Sequence, residues 1–150
     1  MEKSVLFVCT GNTCRSPMAE AWFNKCAAEA GLTGVIARSA GLSAADGCKA
    51  SLHSQAVIAE NGGSLENFRS QPLTLELLKE ASMIVGVSDA HCRMMISAVP
   101  EIAGKTRRLL EFVDGGDVAD PYGGSLDDYR KAFGMIKLAV ENIVKQFNIN

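Results

Sequence analysis

Five residues separate Cys9 from Arg15 in the stretch Cys9-Thr10-Gly11-Asn12-Thr13-Cys14-Arg15-Ser16. A thiol and a guanidinium at that spacing, across a short loop, suit chemistry on a tetrahedral dianion. Gly11 and Asn12 tolerate positive φ, so successive backbone N–H groups can turn inward as an anion-binding nest. A helix opening at Arg15 or Ser16 adds the partial positive charge of its N-terminus. Arg15 adds a planar fork matched to two phosphate oxygens. Such surroundings lower a thiol pKa from about 8.5 to roughly 3.5–7.5, and the thiolate is the nucleophile. Ser16 is placed to donate to that sulfur. The bland reading is a buried cysteine ending a strand beside a surface arginine; the octet's place between a strand and a helix argues against it. Rival phosphate loops do not fit, because the chain lacks G-x-x-x-x-G-K-[ST] and this junction lacks G-x-G-x-x-G.

The elements that must hold this loop are legible in outline. Ser4–Cys9 is a short, apolar, β-branched run and reads as a strand buried on both faces. A helix follows from Arg15 or Ser16 to Ala30, with Pro17 in its first turn and Gly31 as its stop. Val35–Ser39 is a second strand, ended by Ala40-Gly41. Leu52, Ala56 and Ala59 mark the inner face of a helix that stops at Asn61-Gly62-Gly63. A short helix spans Thr74–Glu80, and Met83–Val87 is a third strand. Asp89 caps a helix with Cys92, Met95, Ile96 and Val99 on one face, ended by Pro100. Arg107–Phe112 is a fourth strand, followed by the turn Asp114-Gly115-Gly116-Asp117. Ser125 and Asp128 form a capping box for a last helix with the apolar stripe Tyr129, Phe133, Ile136, Val140, Ile143, Val144 and Phe147. Strands alternating with helices predict an α/β fold with a parallel sheet and right-handed crossovers. Ligands of such sheets sit beyond the carboxyl ends of the strands, where the octet lies.

Bulk properties narrow the classes further. At 150 residues and 47% hydrophobic content the chain is expected to form one globular domain, 1–150. A net charge of −2 gives no electrostatic case for nucleic acid or an anionic membrane. No apolar run approaches the ~18 residues of a membrane span, and no signal peptide is recognisable. Five cysteines at irregular spacing read as reduced thiols in a cytoplasmic protein. No metal or other cofactor is expected: no Cys/His cluster has zinc-ligand spacing. His53 and His91 stand alone and read as surface or helix-end residues. Trp22, Cys26 and Cys92 fall at core spacings, Lys105–Arg108 reads as a solvated turn, and Cys48 has no reading.

The run Val8-Cys9-Thr10-Gly11-Asn12-Thr13-Cys14-Arg15-Ser16-Pro17-Met18-Ala19-Glu20 resembles the signature of the low-molecular-weight protein tyrosine phosphatases. Within that family it looks most like the bacterial protein-arginine phosphatases. The resemblance continues through Arg38-Ser39-Ala40-Gly41, Pro72-Leu73-Thr74 and Asp120-Pro121-Tyr122-Gly123-Gly124-Ser125. It implies a four-stranded parallel sheet of order 2-1-3-4 flanked by helices, and two-step hydrolysis through a phosphocysteine. It also implies that Thr10, Gly11, Asn12, Thr13, Cys14 and Arg15 bind phosphate, that Asn12 holds the loop's shape and that Ser16 stabilises the Cys9 thiolate. Seventeen acidic residues leave the general acid open by composition. Pro121 biases Asp120 to an extended conformation, and the resemblance places the acid there, so Cys9, Arg15 and Asp120 form the catalytic set.

Cys14 matches a family cysteine that forms a reversible disulfide with the nucleophile and protects it from over-oxidation; the alternative is a small packing residue. Thr13 and Tyr122 are the specificity positions. Tyrosine-specific relatives carry a bulkier aliphatic residue at the place of Thr13 and an aromatic at that of Gly123, whereas the arginine phosphatases share the threonine. Tyr122 is left as one wall. Asn67-Phe68-Arg69-Ser70-Gln71 departs from the family's His-Arg-Ser-Arg stretch: Phe68 stands for His and reads as core, and Gln71 for the second Arg. The expected substrates are phosphorylated proteins carrying phosphoarginine, with phosphotyrosine the alternative and the oligomeric state unassigned. Arsenate reductase would need two further relay thiols, a cysteine phosphocarrier would not need Arg15 with Asp120, and a dead phosphate-binding module would not need all three residues.

Overall fold

A computed structural model of the chain describes residues 2–113 and 117–148. Its interior is divided by alternation along the first strand, β1 (Lys3–Cys9). Val5, Phe7 and Cys9 face one core, while Leu6 and Val8 face the other, as the two-residue period of a strand requires. On the first face lie α1 (Arg15–Glu29), α2 (Leu52–Glu60) and α5 (Leu126–Asn148), through Trp22, Phe23, Val57, Ile58, Phe133 and Ile136. On the second lie α3 (Leu75–Glu80) and α4 (Asp89–Ala98), through Leu78 and Met95. Trp22 meets Phe133 edge-on at 5.3 Å and donates its indole N–H to Glu141, tying α1 to α5.

The sheet runs β2-β1-β3-β4 and is parallel throughout, the order that the resemblance implies. β2 is Val35–Gly41, β3 is Met83–Gly86 and β4 is Thr106–Arg108. In register, Cys9 lies beside Gly41 of β2 and Val8 beside Gly86 of β3. The nucleophile candidate thus ends a central strand at the sheet's carboxyl edge.

Several elements differ from the sequence expectation. β2 runs two residues further, to Gly41, and β3 stops one residue sooner. The fourth strand keeps only Thr106–Arg108, and Leu109–Phe112 is a 3₁₀ turn. Leu109 and Leu110 both enter the same core; successive residues of a strand face opposite ways, so only a tight helical turn can bury both on one side. α2 buries Ser54, Val57 and Ile58, and Leu52 is 81% exposed. The branched pair has more area to bury than Ala56 and Ala59 and sets the helix rotation. Ser88, not Asp89, caps α4, by accepting from the His91 N–H. Lys105 is not in a solvated turn: its Nζ donates to the carbonyls of Lys79 and Ala81 ahead of β4. Of the turn expected at Asp114-Gly115-Gly116-Asp117, the first three residues lie outside the described residues. α5 opens on the expected capping box, with Ser125 N donating to Asp128 Oδ2 and Asp128 N to Ser125 Oγ. Among the described residues, no helix is long and apolar enough to cross a membrane.

Candidate active site

The loop after β1 is shaped by where its carbonyls go. Cys9 O accepts from Leu42 N and Thr10 O from Ser43 N, both just past β2. Thr13 O accepts from Ser51 N, and Cys14 O from Ser54 Oγ, at the start of α2. In a planar trans peptide the C=O and the next N–H point opposite ways. Four outward carbonyls therefore turn the N–H groups of Thr10, Gly11, Cys14 and Arg15 toward the loop's interior. The residue that reverses the chain is Asn12, at φ 56°; Gly11 does not use positive φ. α1 starts from Cys14 with no side-chain cap, so its first N–H groups remain available to an anion.

Asn12 is fully buried and acts as the loop's internal brace. Its Nδ2 donates to Ser16 Oγ and Ser39 Oγ, each at 2.9 Å, and its Oδ1 accepts from Gln71 N at 2.9 Å. Ser16 Oγ lies 2.8 Å from Cys9 Sγ. Gly41 lets β2 approach the loop: a Cβ there would stand 2.6 Å from Thr10 O and 3.0 Å from Asn12 N.

Arg15 is buried at the pocket wall. Its Nη1 donates to Val118 O at 3.0 Å and its Nη2 lies 3.6 Å from Asp120 Oδ2. Its Nε has no hydrogen-bond partner among the described residues, an orphan donor at the place where an anion would bind. Asp120 is half exposed, and its Oδ1 accepts from Tyr122 N. Cys9, Thr10, Gly11, Thr13, Cys14, Arg15, Asp120 and Tyr122 line one pocket of about 220 Å³. Tyr122 stands at its rim, 78% exposed. Thus every residue singled out as catalytic or specificity-setting borders this pocket, while Asn12 and Ser16 support it from below.

Cys14 is buried, with its sulfur 3.3 Å from the Tyr129 hydroxyl; burial and the Cys14 contact push the Tyr129 phenol up to about 12. All five cysteines are free. The Asn67–Gln71 segment proves to be a buttress: Phe68 is buried as expected, Gln71 N holds Asn12, and Gln71 Nε2 donates to Ser39 O.

Four participants escaped the sequence reading. His91 is buried rather than superficial: Nε2 meets Thr10 Oγ1 at 3.0 Å and Nδ1 meets Ser88 Oγ at 2.8 Å. Burial, and then the charge of Arg15, lower its pKa. Ser39 links Asn12 to Glu20, and Ser54 holds the Cys14 carbonyl. Nothing local marks His91 or Ser54; Glu20 and Ser39 fall inside the recognisable motifs without a role of their own. Among the described residues, no three His, Cys, Asp or Glu side chains converge to hold a metal.

The chain resembles known proteins along nearly its whole length. The family described as "Low molecular weight phosphotyrosine protein phosphatase" matches residues 4–150. The chain is similar to a protein-arginine-phosphatase of Geobacillus stearothermophilus, 39% identical over 149 residues, covering 97% of each chain. It is similar to a protein-arginine-phosphatase of Bacillus subtilis (strain 168), 40% identical over 144 residues and 95% of each chain. A solved YwlE arginine phosphatase mutant with a phosphorylated active site serine superposes with a TM-score of 0.90 at 38% identity, over 97% of this chain and 95% of that one.

Proposed function

The chain belongs to the low molecular weight phosphotyrosine protein phosphatase family, and from that membership we propose that it removes phosphate from phosphoarginine in proteins through Cys9. The carrying observation is the single pocket that holds the Cys9 sulfur, the Arg15 guanidinium and the Asp120 carboxyl around the inward loop amides. Similarity to two protein-arginine-phosphatases supports the choice of substrate.

In the first step the Cys9 sulfur attacks phosphorus in line and the bond from phosphorus to the guanidino nitrogen breaks. Asp120 hands its proton to the departing nitrogen. The amides of the loop and Arg15 hold the three equatorial oxygens, whose charge must be balanced in the transition state. In the second step Asp120, now ionised, takes a proton from water. That water attacks the phosphocysteine, and phosphate leaves with the sulfur restored. The Arg15–Asp120 approach keeps the carboxyl over the pocket, and the Arg15 bond to Val118 O fixes the guanidinium plane. Ser16 steadies the sulfur.

Thr13 borders the pocket without the bulk of a longer aliphatic side chain, which leaves width for a planar guanidinium. Phosphotyrosine is the second reading, favoured by one observation: the exposed Tyr122 ring at the rim can lie against a phenyl group. Five free thiols fit a reducing, cytoplasmic setting. Cys14 lines the same pocket as Cys9 and is proposed as its reversible disulfide partner under oxidation.

The decisive measurement is kcat/KM on matched phosphoarginine and phosphotyrosine peptides, with Cys9→Ser as the blank. Phosphoarginine is expected to be preferred, Cys9→Ser to be inert, and Thr13→Ile to shift the ratio toward phosphotyrosine at least tenfold. Preference for phosphotyrosine transfers the assignment to the second reading. An unchanged ratio in Thr13→Ile removes Thr13 as the gate.

A further inference from the structure

A continuous chain of hydrogen bonds leads from the nucleophile to a carboxyl on the far side of the loop. Ser16 Oγ lies 2.8 Å from Cys9 Sγ, Asn12 Nδ2 donates to Ser16 Oγ and Ser39 Oγ, and Ser39 Oγ donates to Glu20 Oε1 at 2.8 Å. Each bond constrains the next. Asn12 cannot flip, because its Oδ1 holds Gln71 N. Both of its amide hydrogens are then committed, and each serine has only its own hydroxyl hydrogen left to give. An ionised Glu20 accepts only, so it draws the Ser39 hydrogen away from Asn12. The lone pairs of Ser39 then face Nδ2, and the one hydrogen of Ser16 is left for the sulfur. We propose that Glu20 is a positioning residue for the phosphatase reaction: its carboxylate takes the Ser39 hydrogen and so secures the far end of the Ser39–Asn12–Ser16 chain, whose sense Gln71 N fixes and which points a hydrogen at Cys9. The inference rests on the reading of Cys9 as nucleophile.

Protonation reverses the last link. A neutral Glu20 can offer its own hydrogen to Ser39 Oγ, and the Ser39 hydroxyl is then free to swing against the Asn12 N–H. That competition loosens Asn12 and, through it, the Ser16 hydrogen. Glu20 is set to titrate in the working range. Burial pushes its carboxyl up to about 7, against the lowering effect of Ser39 and of the Arg38 charge. Asp46 and Arg69 border the same cleft, beside the buried ring of Phe68. Glu20 therefore couples solution pH to the nucleophile from outside the pocket that takes substrate.

The test is site-resolved alkylation of Cys9 in the intact protein by iodoacetamide, a neutral probe that needs no anion site, from pH 5.5 to 8.5. The wild type is expected to show a step in rate near pH 7. Glu20→Gln keeps an acceptor for Ser39 but cannot titrate; it is expected to lose the step and match the wild-type rate at pH 8. Glu20→Ala removes the acceptor and is expected to react at least threefold more slowly across the upper half of the range. A step retained in Glu20→Gln overturns the proposal, as does a folded Glu20→Ala that alkylates like the wild type. Should Glu20→Ala fail to fold, the Glu20→Gln profile decides alone. The phosphatase reading fails differently, by phosphopeptide hydrolysis that survives Cys9→Ser.

Discussion

Asp120 sits half exposed at the pocket mouth, held by a 3.6 Å approach to Arg15 and by Tyr122 N on its other oxygen. A proton donor in that place matters in proportion to how badly the leaving group needs the proton. Asp120→Asn keeps the shape and removes the acid. It is expected to lower kcat/KM on phosphopeptides by about 10²–10⁴, and to cost far less on an aryl phosphate whose phenolate departs unprotonated. Equal losses on both would remove Asp120 as the general acid and leave it as a spacer for Arg15. The residues of this site divide by how far their partners lie. Cys9, Asn12, Arg15 and Ser16 fall within one octet, and their meeting was readable there. His91 reaches Thr10 across 81 positions, and Gln71 reaches Asn12 across 59. A lone histidine carries no local mark of such a partner, so it reads as a surface or helix-end residue until the fold brings the loop after β1 and α4 together.

The same division holds among the elements. The ends of β1 and α1 were legible because strand period, Pro17 and Gly31 are local signals, and the capping box at Ser125 located α5. The rotation of α2 was not, since Leu52 outweighs Val57 in a short pattern yet caps no core. The length of β4 was not either, because Leu109 and Leu110 look like strand residues until both must enter one core. Where β2 ends is functionally the most exacting of these boundaries. β2 carries on to Gly41, directly beside Cys9 in register, and the two residues just past it bind the loop carbonyls through Leu42 N and Ser43 N. A Cβ at position 41 would press on Thr10 O at 2.6 Å and Ala44 Cβ at 2.7 Å. Backbone cannot yield there without moving the loop. Gly41→Ala is therefore expected to destabilise by about 1–3 kcal/mol and to lower kcat/KM at least tenfold at a pH and temperature where the variant is fully folded. Wild-type kinetics in a folded Gly41→Ala would mean that the loop's shape does not depend on the β2 edge.

At the scale of the whole molecule the loop after β1 lies between two titratable groups whose shifts have opposite sense, the partly buried Glu20 and the buried His91. Their effects on stability follow from linkage. Glu20 moves from an ordinary 4.5 to about 7 on folding. Between those values the folded chain holds a proton that the unfolded chain has lost. Its stabilising share is complete below pH 4.5 and is lost as pH rises through 7, a change on the order of 3 kcal/mol. His91 shifts downward from 6.5; its share is present above pH 6.5 and is lost as pH falls through the lowered value. The ionised Glu20 that secures the chain of hydroxyls leading to Cys9 is thus bought with fold stability, an expense that native proteins commonly carry at active sites. Glu20→Gln removes the ionisation and keeps the acceptor. Urea unfolding at pH 5 and pH 8 is expected to show the variant gaining on the wild type by more than 1 kcal/mol between the two. A difference between the proteins that stays constant with pH would mean that Glu20 is already ionised at pH 5, and that the loop is poised without cost.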